Sequence, residues 1–244
     1  MTGENENGLS FGATIDLEDA AESSANVDLT DGADADYTVF VSGAFGTLTY
    51  GDTDGAMDWA LTEGGNVGNP GSISDAETGH AGYAGSYLDG GANVARYNNS
   101  FGDYAVAVSV SQDANDDEAG YAIGLKGSVA GASFGIALQE AADDASLAGV
   151  SLGYSFGAMQ AGVMIASGED TNGADDELMQ LGLGYSAGAL SLHANYGTRD
   201  NAAGDVDGFG IAAAYDLGGG ASVHFGYGDG EEVSAWSFGL AMSF

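Results

Sequence analysis

Three features of this 244-residue sequence predict an all-β fold, specifically an up-and-down antiparallel transmembrane β-barrel. Apolar side chains recur at every second position, the period of a strand. The face opposite them is built of Gly, Ala and Ser rather than the Lys, Glu and Thr that a soluble sheet exposes. The connections alternate between tight turns and long acidic loops, the asymmetry of a barrel whose two rims face different compartments. Trp236, Phe238, Leu240, Met242 and Phe244 show the alternation against Ala235, Ser237, Gly239, Ala241 and Ser243. It returns in Tyr121, Ile123 and Leu125, in Met179, Leu181, Leu183 and Tyr185, and in Leu190, Leu192, Ala194 and Tyr196.

The pattern predicts about fourteen strands in a single domain over 1–244. They start near Leu9, Asp36, Thr47, Asn93, Asp103, Ala119, Ala132, Ser146, Met159, Glu177, Ala189, Asp207, Ala221 and Val233. Tight turns fall at Ala44-Phe45-Gly46, Ser100-Phe101-Gly102, Ala130-Gly131, Ser155-Phe156-Gly157, Ser186-Ala187-Gly188 and Gly218-Gly219-Gly220. The acidic runs Asp113–Glu118, Glu169–Glu177 and Asp205–Asp207 read as the opposing loops, with Arg199 and Asp229 in such loops too. Small inward residues leave room for water and solute, and a barrel of this size is too wide for side chains to fill.

Composition removes several classes of function. Three Lys and Arg stand against 37 Asp and Glu, a formal charge of −34, so no basic surface exists for a nucleic-acid backbone. Without Cys there is neither a disulfide framework nor a thiolate metal site. Forty-three Gly disfavour helices, and no 18-residue apolar run offers a membrane helix. Aromatic residues at 10% and apolar residues at 44% argue against disorder. The opening Met1-Thr2-Gly3-Glu4 has no secretory leader pattern, which fits a processed chain or one starting inside a longer product.

The stretch Thr38-Val39-Phe40-Val41-Ser42-Gly43-Ala44-Phe45-Gly46-Thr47-Leu48, running into Gly51-Asp52, resembles the trimeric general porins of purple non-sulphur and marine α-proteobacteria. Tyr215-Asp216-Leu217-Gly218-Gly219-Gly220-Ala221-Ser222-Val223 is similar to their penultimate hairpin. Phe244, closing an alternating strand, resembles the terminal signal of outer-membrane barrels. The resemblance implies a sixteen-stranded homotrimer in the outer membrane of a Gram-negative bacterium, with the third loop folded inward. It aligns Thr2–Gly8 with a periplasmic turn that follows two strands, the second rich in Arg. Those two strands are then missing, leaving fourteen and a weakened subunit contact. The function implied is passive diffusion of small hydrophilic solutes and ions through a water-filled channel.

Residues 53–89 are too long for an ordinary connection and form the expected constriction loop, with an external flap as the alternative. It carries Asp54, Asp58, Glu63, Asp75, Glu77 and Asp89 among Trp59, Tyr83, Tyr87 and Pro70, the only Pro. Strand parity points Arg96, Lys126, His193, His224, Gln160 and Gln180 inward. Clustered carboxylates attract cations over about 8 Å at physiological salt, which predicts a cation-preferring pore.

Ser191, His193 and Asn195 share one face, but alternate strand residues stand about 6.5 Å apart, too far for direct Ser–His proton transfer. No catalytic function is expected and no cofactor is required. Structural calcium is the one candidate ligand: Asp52, Asp54 and Asp58 surround Gly55, and Asp113, Asn115, Asp116 and Asp117 resemble the start of a calcium loop without its Gly and distal Glu. A secreted calcium-stiffened β-protein is the rival reading, yet Leu88-Asp89-Gly90-Gly91-Ala92-Asn93 never repeats. A truncated, non-conducting barrel is the other alternative.

Overall fold

The protein's structure is a computed structural model, described over residues 1–15, 37–74, 93–112, 119–141, 145–230 and 233–243. Among the described residues fifteen strands lie side by side in sequence order, every neighbour antiparallel. They are β1 (Thr2–Glu4), β2 (Ser10–Ile15), β3 (Tyr37–Gly43), β4 (Gly46–Gly51), β5 (Asn93–Phe101), β6 (Tyr104–Gln112), β7 (Ala119–Val129) and β8 (Ala132–Glu140). Then come β9 (Ser146–Phe156), β10 (Met159–Glu169), β11 (Asp175–Ala187), β12 (Leu190–Asn201), β13 (Gly204–Gly218), β14 (Ala221–Gly230) and β15 (Val233–Met242). Among the described residues, helix α1 (Ala56–Ala60) and a 3-10 turn at Gly64–Asn66 lie between β4 and β5.

The strand beyond the expected fourteen is β1. Residues Thr2–Glu4 pair with Gly12 through Ser10, so only the second half of Thr2–Gly8 is a turn. Asn5 closes that turn, its side-chain oxygen accepting from Asn7 N and Leu9 N at 3.0 Å each. Among the described residues no ladder joins β1 to β15. The tight turns lie where alternation breaks. At Ala130-Gly131 both central residues are left-handed (φ 52° and 85°), the twist-matching geometry of a two-residue hairpin.

Three acidic segments expected as loops are strands instead. Asp175–Glu177 opens β11, Asp205–Asp207 lies in β13, and Asp229 belongs to β14. Arg199 likewise sits in β12, not in a loop. Ladder hydrogen bonds continue past the apolar band, where outward carboxylates remain solvated. A charge run therefore does not end a strand there.

Candidate pore and its inner loop

The two sheet faces differ as the alternation requires. Outward, aromatic residues form two rows. Tyr104, Tyr154, Tyr185 and Tyr215 lie toward the tight turns, and Tyr50, Tyr121, Tyr196 and Trp236 toward the opposite rim, all exposed. Between them stand exposed aliphatic side chains such as Val108, Ile123, Leu183, Leu192 and Ile211. An apolar band between aromatic girdles matches the surface of a barrel embedded in lipid. No helix among the described residues is long and apolar enough to cross a membrane.

Inward, the small residues carry the chain's own loop. Met57 and Ala56 are fully buried, and α1 with Leu61 packs on Ala107 of β6, Ala122 of β7, Ala137 of β8, Leu147 of β9, Met164 and Ala166 of β10, and Leu178 of β11. Burying Met57 and Leu61 contributes about 1.5–3 kcal/mol each. The loop advances strand by strand. Ala56 N donates to Ser109 Oγ on β6 at 2.8 Å, and Thr62 N to Ser151 Oγ on β9 at 3.0 Å. The 3-10 turn then lies on β9 to β12, the Gly71 carbonyl is 3.3 Å from His224 Nδ1 on β14, and Ile73 lies against Gly239 of β15. Residues 56–73 thus run along the inner wall from β6 to β15.

That contact revises the reason for the small inward face. Glycines stand there because the loop backbone touches the wall, not only to leave space for water. A Cβ at Gly124 would collide with the Ala56 carbonyl, one at Gly135 with the Ala60 carbonyl, and one at Gly182 with the Gly64 carbonyl. From the loop side, a Cβ at Gly64 would strike the β10 backbone at Val163 and Met164.

The basic side chains are all engaged. Arg96 Nη1 donates to the Asp54 carbonyl at 2.6 Å and stands 3.8 Å from the Asp54 carboxylate. Lys126 Nζ donates to the Trp59 carbonyl at 2.6 Å and lies 3.7 Å from the centre of the Trp59 ring. Arg199 makes a two-pronged pair with Asp176, at 2.9 Å from Nε and 2.7 Å from Nη2. Both members share the inward parity of Gln180 and His193, so this pair belongs to the wall.

Of the other expected site residues, Asp54 and Asp52 are exposed, whereas Asp58 and Glu63 are half-buried. His193 is only 4% exposed because the loop covers it; its Nε2 is 3.3 Å from Asn195 Nδ2. Ser191 pairs with Ser186 Oγ at 3.2 Å. Gln180 is fully buried in the same wall. Asp75, Glu77, Asp89, Asp113, Asp116 and Asp117 lie outside the described residues, as do Tyr83 and Tyr87. Among the described residues no three His, Asp or Glu side chains converge as a metal site.

An antiparallel meander with a lipid-matching outer face and a loop on its inner wall defines a transmembrane barrel of the pore-forming class. The Gram-negative porin family model matches residues 1–234, and the chain belongs to that family. A porin structure refined at 1.8 Å resolution is 24% identical, with a TM-score of 0.81, covering 100% of this chain and 90% of that one. Two engineered mutants of the Rh. blastica porin superpose with TM-scores of 0.69 and 0.68 at 22% and 23% identity, covering all of this chain and 88% of theirs. No curated protein matches the chain. The protein is an outer-membrane porin, a membrane-embedded channel for solutes.

Proposed function

We propose that the channel prefers cations and that residues 53–89 narrow it. The observation that carries this reading is the engagement of every Lys and Arg in the chain. Arg199 is paired with Asp176, Arg96 stands beside the Asp54 carboxylate, and Arg96 and Lys126 are held by loop carbonyls. The three cations are thus tied to the loop or to a carboxylate, while the carboxylates far outnumber them. Asp54 remains exposed beside the loop, with Asp58 and Glu63 half-buried near it. Passage is passive, set by aperture and field, with no chemical step.

Reversal potentials in planar bilayers under a KCl gradient test the preference. A unit charge 4 Å away is worth about 1 kcal/mol in water, roughly a fivefold change in local K⁺. Asp54→Asn with Asp58→Asn should therefore lower the K⁺/Cl⁻ permeability ratio several-fold, with the preference fading as salt rises. Asp170→Asn, in the β10–β11 turn, and Asp229→Asn, on the outward face, should change it little. Chelator in both chambers controls for calcium bound near Asp52 and Asp54. Anion preference in the unmodified protein would overturn the reading.

The same reading includes a homotrimer packed through the outward faces of β2 to β4, where Phe11, Val39, Leu48 and Tyr50 are exposed. Its contact is weakened by the two strands missing from the family pattern. Cross-linking in mild detergent should therefore trap a trimer that harsher detergent dissociates, and Leu48→Lys with Val39→Lys should abolish it. A detergent-resistant trimer would contradict the weakened contact. A parent protein that cross-links only as monomer would remove this part.

A further inference from the structure

Helix α1 has five residues, far too few to persist alone, and its N-cap Gly55 supplies no side-chain acceptor. The wall holds it at both ends. At the entry, Arg96 binds the Asp54 carbonyl and Ser109 accepts from Ala56 N. At the exit, Lys126 binds the Trp59 carbonyl and Ser151 accepts from Thr62 N. Trp59 is the penultimate helical residue, so its oxygen is among the carbonyls that a helix leaves unpaired at its C-terminus. A cation there also meets the negative end of the helix. The Trp59 ring covers the same ammonium at 3.7 Å, a second contact that holds it against the loop.

We propose that Arg96 and Lys126 are positioning residues that clamp α1 to the wall, and that Lys126 keeps the channel steadily open by its N–H donor as well as its charge. The inference rests on the pore reading above. A lumen charge acts at a distance and needs no hydrogen-bond donor, whereas a clamp fails without one. Released at its exit, the loop would swing from the wall into the lumen and interrupt the current.

Because the chain contains no Cys, Lys126→Cys gives a single labelling site. The unfolded full chain is modified before refolding into detergent and then bilayers. An aminoethyl methanethiosulfonate adduct restores charge and donor, a trimethylammonium-ethyl adduct restores charge alone, and a methylthio adduct restores neither. Lys126→Arg serves as the conservative variant and Trp59→Leu removes the ring while keeping the carbonyl.

Closing flicker in single-channel records should rise several-fold in the unmodified Lys126→Cys protein and the methylthio adduct. It should return to the parent level with the aminoethyl adduct and in Lys126→Arg, and should rise partway in Trp59→Leu. The trimethylammonium adduct separates the two roles: it should recover the parent reversal potential and still flicker. Flicker that disappears with charge alone, or a Lys126→Cys channel as quiet as the parent, overturns the clamp. Failure of the pore reading itself would show separately, as absent channels or anion preference in the parent.

Discussion

Gly124→Val combined with Gly135→Val should push the inner loop off its wall into the lumen and lower single-channel conductance severalfold. The two glycines stand on β7 and β8 directly beneath α1, and a Cβ at either would enter the space of a loop carbonyl, Ala56 or Ala60. Overpacking of this kind costs about 1–3 kcal/mol per site. The contacts it opposes are the burial of Met57 and Leu61 and the two serine bonds. Val suits a strand better than Gly, so the barrel itself gains from the change. The strain therefore falls on the loop. Liposome swelling with sugars of increasing size should report a smaller cut-off in the double variant. As a control, Gly188→Val has open space around it in a tight turn and should leave conductance unchanged, although its left-handed backbone (φ 60°) will cost some stability. Unchanged conductance and cut-off in the Gly124/Gly135 variant would mean that residues 56–73 do not limit the aperture.

This sensitivity of a few wall glycines explains what the sequence could and could not reveal. Each of the fourteen expected strand starts falls within three residues of an observed one, because lipid on one side and a different environment on the other impose a period of two. The occupant of the inner side left no comparable imprint. Gly and Ala opposite an apolar face fit an open lumen and a close-packed loop equally well, and only the position of Ala56–Ile73 distinguishes them. Arg96 and Lys126 were placed inward by parity, yet their partners are main-chain oxygens at Asp54 and Trp59, which a sequence does not mark. The sequence places Arg199 in an outer loop and hides its pairing, because the partner is diagonal: it faces Leu178 in the register, and Asp176 is two residues along the same face. The signal that could have found it is the continued alternation through Leu178, Gln180 and Gly182 back to Asp176. Acidic character was read as loop at Asp205 and Asp207, where the ladder simply extends beyond the apolar band into water. Asp75, Glu77 and Asp89, expected in the pore, and the calcium candidates Asp113, Asn115, Asp116 and Asp117 fall outside the described residues and gain nothing from the fold.

A single Arg moved by one residue along β15 should separate the two faces most sharply. Phe238 is mid-strand, 68% exposed, and opposite Phe225 in the ladder. Its outward position places an introduced Arg in lipid near the membrane midplane, where the cost is about 2–4 kcal/mol. That is a large share of the usual 5–15 kcal/mol of net stability. Phe238→Arg should therefore lower the urea midpoint of the refolded barrel and reduce the heat-modifiable folded band on gels. Ser237 has the opposite parity, beside Gly239 and Ile73 on the loop-bearing wall. Ser237 Oγ is buried on that wall, so Ser237→Arg should push the Ile73 segment aside to bring its guanidinium to the aqueous lumen, leaving the strand ladder in place while the reversal potential moves toward Cl⁻. The pair is informative because side-chain chemistry, strand and depth are held nearly constant. If both variants fold equally well, the aromatic face of β15 is not in lipid and the outward assignment of Trp236, Phe238 and Leu240 fails. If Phe238→Arg moves the reversal potential and Ser237→Arg does not, the faces are reversed.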